Sequence, residues 1–225
     1  MENLKIAKYN DMKNILAGDS REVFVSVDKY DSSIKSGYLK DDMLPYFNGK
    51  IIIRKTVAKM LAKVNLKLRD KGLGLSVAYG LRLLEIQKKY YSARYLAVKK
   101  ENPNLSEDEL REKTHTMSAS PDVAGHPSGG AVDLTLYNLE SGEKLDMGGE
   151  IADFSDKRIE TFLEGLSDEQ KKNRKVLHDA MTEIGFCPFY GEWWHFCYGD
   201  REWAFFYNKK NAIFDQVDLK DIVIE

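Results

Sequence analysis

The chain is 225 residues long, with 43% hydrophobic and 31% charged residues; this excludes a disordered polyelectrolyte and leaves enough length to bury a real core. Its 34 Lys+Arg nearly cancel 36 Asp+Glu, for a net charge of −2, so it lacks the basic excess of a general nucleic-acid binder. The two cysteines, Cys187 and Cys197, exclude a disulfide-built scaffold. The polar start Met1-Glu2-Asn3-Leu4-Lys5-Ile6 is not the apolar run of a secretion signal, and no stretch approaches the ~20 apolar residues of a membrane span. A cytoplasmic protein without membrane association is therefore expected; oligomeric state is not legible.

No repeat, low-complexity tract or Pro/Gly/Ser linker divides the sequence, so 1–225 reads as one domain. Glu22 to Val27 is expected as a strand. Thr56 to Lys71 carries Val57, Met60, Leu61, Val64 and Leu68 at helical spacing and stops at Gly72. Leu73 to Tyr79 alternates as a strand ended by Gly80, and a helix follows from about Leu83 to Lys99. Ser106 with Glu109 forms a capping box for a helix to about Lys113. Thr114 to Gly130 reads as loop and Ala131 to Tyr137 as a strand. Ser167 with Gln170 caps a helix whose apolar face is Leu177, Ala180, Met181 and Ile184. Aromatic content predicts strands over Glu192–Tyr198 and Glu202–Tyr207. Strands and helices do not alternate regularly, so the expected class is α+β, with a mainly antiparallel central sheet flanked by helices.

Two segments carry the chemistry. In Gly125-His126-Pro127-Ser128-Gly129-Gly130-Ala131-Val132-Asp133, a loop histidine precedes an aspartate with flexible glycines between, so imidazole and carboxylate can converge. Asp133 also interrupts an otherwise apolar, half-buried strand, and a carboxylate there needs a partner, most simply a cation. In Gly191-Glu192-Trp193-Trp194-His195-Phe196, Glu192 and His195 would point to opposite faces of a regular strand. Irregular backbone after Gly191 is needed to turn Glu192 toward His195. The two segments together offer two histidines and one aspartate as ligands, with one glutamate left over. Three protein ligands and an open fourth position is the arrangement of catalytic zinc, which implies hydrolysis of a peptide or amide.

Taken singly, each piece has a plainer reading. His195 alone suits a hydrogen-bonded core residue, and His126 alone an exposed loop residue. Arg82 opens a helix and could simply pair with Glu85, or it could hold a guanidinium at a strand end for a developing oxyanion or a carboxylate. Cys197 shares a strand face with His195, but without a Cys-x-x-Cys pair both cysteines are expected as buried thiols. His115 and His178 are expected to face solvent.

Ala124-Gly125-His126-Pro127-Ser128-Gly129-Gly130-Ala131-Val132-Asp133 and Glu192-Trp193-Trp194-His195, with Arg82 upstream, resemble the zinc D-alanyl-D-alanine dipeptidases of the vancomycin-resistance type. The resemblance spans about Val27 to Tyr198. It implies that His126, Asp133 and His195 bind one zinc ion per chain, that Glu192 is general base and acid, and that Arg82 stabilises the transition state. It further implies that Asp153 meets the amino end of a small dipeptide substrate, and it implies a compact α+β domain. Ala124 stands where the family usually has serine, and Tyr79-Gly80-Leu81-Arg82-Leu83 keeps only the glycine and arginine of the family string. A zinc D,D-carboxypeptidase or cell-wall peptidase acting on longer peptides is the nearest alternative, and a non-catalytic zinc-bearing binding module is a third.

Overall fold

The computed structural model describes residues 6–18, 21–154 and 158–225; the polar start Met1–Lys5 lies outside them. Seven-residue β4 (Leu73–Tyr79) and eight-residue β5 (Ala131–Asn138) pair antiparallel at the centre of a five-stranded sheet. Shorter strands complete it, namely β2 (Lys35–Ser36), β6 (Cys187–Pro188) and β7 (His195–Cys197), in the order β2-β4-β5-β7-β6. Only the β2–β4 pair is parallel. A separate antiparallel ladder joins β1 (Phe24–Ser26) to β3 (Ile52–Arg54). The α+β class and the mainly antiparallel sheet are those expected from the sequence.

One face of the sheet is covered by α3 (Lys55–Arg69) and α6 (Asp168–Glu183). The predicted stripe of α3 is buried, with Val57, Leu61, Val64 and Leu68 in one core with Leu75 and Val77 of β4, Val132, Leu134 and Leu136 of β5, and Leu177 and Met181 of α6. Each such side chain contributes roughly 1.5–3 kcal/mol on burial. Both capping boxes form: Ser106 starts α5 (Glu107–His115) and Ser167 starts α6. The opposite side of the sheet carries α4 (Leu84–Glu101), which packs on α5. Strand β5 is therefore buried on both faces through Tyr137, not half-buried, and its odd-numbered side chains point away from the α3/α6 core.

Two further expectations are corrected. Glu202–Tyr207 is not a strand but part of helix α7 (Arg201–Phe206), because Asp200 caps it: Asp200 Oδ1 accepts the backbone N–H of Trp203 at 2.9 Å. Local capping there overrides the β preference of the aromatics. His115 is buried at 5% exposure, its Nδ1 accepting the N–H of Ser120 at 3.1 Å and its ring edge-on to Tyr9. His178 is half-buried between Phe162 and Tyr190. Among the described residues no helix is long and apolar enough to cross a membrane.

Candidate active site

His126 lies in a single 3-10 turn, His126–Ser128, closed by Gly129 at φ 73°, a left-handed conformation that glycine adopts without strain. A side chain at Gly129 would also collide with the Phe24 ring. The turn is clamped from below by Arg54, which is 1% exposed. Its Nε donates to Ser128 O at 2.8 Å, its Nη1 to Glu22 O at 2.7 Å, and its backbone N–H to Gly129 O at 3.1 Å. The imidazole itself is fixed by Gly80, whose carbonyl lies 2.7 Å from His126 Nδ1. A carbonyl only accepts, so Nδ1 carries the hydrogen and the Nε2 lone pair is free.

Asp133 projects from the centre of β5, beside an irregularity in β4 between Val77 and Tyr79. Its Oδ2 is 3.3 Å from His126 Nε2 and its Oδ1 is 2.9 Å from His195 Nδ1. His195 opens β7 directly opposite Asp133 in the ladder. Glu192 precedes that strand in a turn, with its N–H on Phe189 O at 3.0 Å and its carbonyl accepting the His195 N–H at 3.1 Å. The irregular backbone that the Glu192–His195 spacing demanded is thus present, and both side chains face one cavity.

That cavity is about 340 Å³ and also receives Arg82, Gln87, Tyr90, Arg94, Phe154 and Trp194. Arg82 does not pair with Glu85. Its Nη1 donates to Gln87 Oε1 at 2.8 Å, and its guanidinium sits 4.4 Å from the Tyr79 ring centroid and 5.3 Å from that of Tyr90. Asp42 holds both tyrosines through their hydroxyls, at 2.6 and 2.5 Å. Arg82 Nε is buried without an acceptor among the described residues. Asp153 is half-buried between Ala152 and Phe154, which line the cavity, but is not itself in the lining.

The electrostatics follow from burial and pairing. Burial alone would raise the Asp133 pKa, but the imidazoles of His126 and then His195 hold it far below the carboxylate range. Burial alone would lower His195, yet its hydrogen bond to Asp133 and that residue's charge push it up to about 9. His126 is lowered, chiefly by burial. Burial raises Glu192 to about 7, with the Asp133 charge adding to it against His195. Glu202, on α7, is raised to about 8 by burial.

His126, Asp133 and His195 each offer one ligand atom, and these atoms all lie within 4.8 Å of one another. Tetrahedral zinc with bonds of about 2.0–2.1 Å places its ligand atoms roughly 3.4 Å apart; the 3.3 Å from His126 Nε2 to Asp133 Oδ2 is close to that, while the 2.9 Å to His195 Nδ1 is from the other oxygen, Oδ1. Two imidazoles and one carboxylate, with a cavity on the remaining side, fit a catalytic zinc site. Cys197 is not part of this group; with Cys187 and Ala131 it forms a separate buried cluster.

Sequence reasoning missed Gln87, Tyr79, Tyr90, Asp42, Arg54 and Glu202. Only Glu202 had a usable signal, since Asp200 followed three residues later by a helix-compatible position marks a helix start that turns it toward β7.

D-alanyl-D-alanine dipeptidase from Enterococcus faecalis is 31% identical over 158 residues, covering 67% of this chain and 75% of that protein. The enzyme of the same description from Enterococcus faecium is 34% identical over 113 residues, so the match spans about half of each chain (50% and 50%). Among solved structures, a point mutant of the vancomycin-resistance D,D-pentapeptidase VanY in complex with Zn(II) matches at TM-score 0.43 and 18% identity, over 75% of this chain and 84% of that one. Residues 29–216, which include every side chain of the cavity wall named above from Arg82 to Glu202, match the D-ala-D-ala dipeptidase family, and the chain belongs to that family.

Proposed function

We propose that the chain is a cytoplasmic zinc dipeptidase that hydrolyses D-alanyl-D-alanine or a similar D-amino-acid dipeptide. The observation that carries this reading is the convergence of His126, Asp133 and His195 with Glu192 and Arg82 on one cavity. The two imidazoles and the carboxylate would hold zinc, which would supply Lewis-acid activation of water and of the scissile carbonyl. Glu192, poised near neutrality by burial, takes the proton of the attacking water and returns it to the leaving amine. Arg82, held by Gln87 and two tyrosine rings and lining the cavity, donates from its guanidinium to the oxyanion that develops on the carbonyl. Trp194 and Phe154, packed edge to face with centroids 6.0 Å apart, wall the site and strengthen these charges by excluding water. Asp153, between the cavity-lining Ala152 and Phe154, is assigned to the substrate ammonium.

A cavity of about 340 Å³ suits a dipeptide better than a long stem peptide. Release of D-alanine from D-Ala-D-Ala, compared with release from a pentapeptide ending in D-Ala-D-Ala, tests the assignment. Faster turnover of the dipeptide is expected; cleavage of the pentapeptide alone would make the protein a carboxypeptidase, and zinc binding without turnover of either would make it a binding module.

A further inference from the structure

One acidic side chain of the cavity, Glu202, has no part in the chemistry above. It is the second residue of α7, its side chain is 15% exposed, and its Oε2 stands 3.8 Å from His195 Nε2. The other ring nitrogen, Nδ1, is the one turned toward Asp133 at 2.9 Å. His195 therefore lies between two carboxylates, one on each nitrogen.

A neutral imidazole has one N–H and one lone pair, and a metal takes only the lone pair. Which nitrogen keeps the hydrogen is decided by what the far nitrogen meets. For His126 the far nitrogen meets the Gly80 carbonyl, and the question is settled by backbone. For His195 the far nitrogen meets Glu202.

We propose that Glu202 is the positioning residue of His195: its carboxylate accepts the Nε2 hydrogen, which leaves the Nδ1 lone pair aimed at the metal and fixes the ring plane. The inference rests on the zinc reading of the site. Hydrogen-bond distance requires the carboxylate to move in by about 1 Å. The helix that carries Glu202 is itself secured. Asp200 caps it, Trp203 Nε1 donates to Gly185 O at 3.3 Å, and Ala204 is fully buried. Once ionised, Glu202 also makes the imidazole a stronger ligand than a carbonyl acceptor would. If Glu202 were only a counter-ion to a doubly protonated His195, it would oppose metal binding instead of supporting it.

Zinc affinity of the metal-free protein, measured by competition with a chelator, separates these possibilities. Wild type is expected to bind one zinc, and failure to bind any would overturn the zinc reading together with this inference. Given binding by wild type, E202A should bind zinc roughly 10–100-fold more weakly. E202Q, which keeps an acceptor oxygen without the charge, should fall between the two. Equal affinity in folded E202A would overturn the role of Glu202 while leaving the zinc site standing. Should E202A not fold, nitrogen-15 imidazole spectra of the zinc-loaded wild type decide the matter: the His195 hydrogen is expected on Nε2, and metal on Nε2 or a doubly protonated ring would overturn the proposal.

Discussion

Asp133 and His195 stand directly opposite each other in the β5–β7 ladder, and the side chains that meet there place Oδ1 2.9 Å from Nδ1. A directly opposed antiparallel pair is held by backbone on both sides, so two of the three proposed ligands need no loop to bring them together. The third, His126, comes from a turn that is fixed by glycine, by Arg54 and by the Gly80 carbonyl. A rigid strand pair plus one clamped turn preorganises the three proposed ligands.

Glu192 is assigned to proton transfer and not to metal binding. E192Q should keep wild-type zinc content while turnover of D-Ala-D-Ala falls by roughly 10²–10⁴-fold. Metal analysis alongside steady-state kinetics checks both halves; loss of zinc from the variant would move Glu192 into the ligand set.

Arg82 is expected to act on the transition state. R82M should lower kcat by roughly 10²–10³-fold with little change in KM, and R82K should not restore it, because lysine cannot keep the Gln87 bond and the two ring contacts while offering a second donor. Q87L should show the same pattern at a smaller magnitude. A change confined to KM would assign Arg82 to substrate binding instead.

Arg54 binds the backbone of three separate segments, at Ser128, Glu22 and Asp215. R54M strips these carbonyls of a charged donor and should lower stability by roughly 1.5–3 kcal/mol. Because the Ser128 turn carries His126, zinc affinity should fall as well. Denaturant melts and chelator competition on the same preparation test the link; a destabilised variant with unchanged affinity would show that the turn is held by other means.

The metal-free protein should lose stability as pH rises from about 7 to 9. His195, Glu192 and Glu202 all have raised folded-state values, about 9, 7 and 8. In this window folded His195 and Glu202 hold protons that the unfolded chain has released, while Glu192 gives up its own at the lower edge, so the advantage is present at low pH and is lost as each group deprotonates. Zinc takes the place of the proton on His195 alone, so its affinity should rise with pH as that group deprotonates. Thermal melts of chelated protein at pH 7, 8 and 9 read the first effect, and a melting temperature that increases with pH would contradict it.

The sequence made Asp133 conspicuous because a carboxylate in an apolar strand demands a partner, and His126 and His195 because glycines and a neighbouring glutamate gave each a setting. The partners that hold these groups were hidden for a simple reason. Arg54 meets Glu22, Ser128 and Asp215 only after folding, and Asp42 reaches Tyr79 and Tyr90 across the molecule. Pattern along the chain reports local periodicity, not such long-range bonds. His115 misled because a polar residue at a helix end is usually exposed, whereas here the chain folds back and Ser120 satisfies it. Helix α7 misled because its aromatic content outweighed, in the reading, one capping aspartate.

The central claim is that His126, Asp133 and His195 hold a zinc ion required for dipeptide hydrolysis. Zinc content and D-Ala-D-Ala turnover should be measured on the purified chain, after exhaustive chelation, and after zinc is added back. One zinc per chain, loss of turnover on chelation and its return with zinc are expected, none of which survives in H195A. Full hydrolysis by the chelated, metal-free protein would contradict the claim.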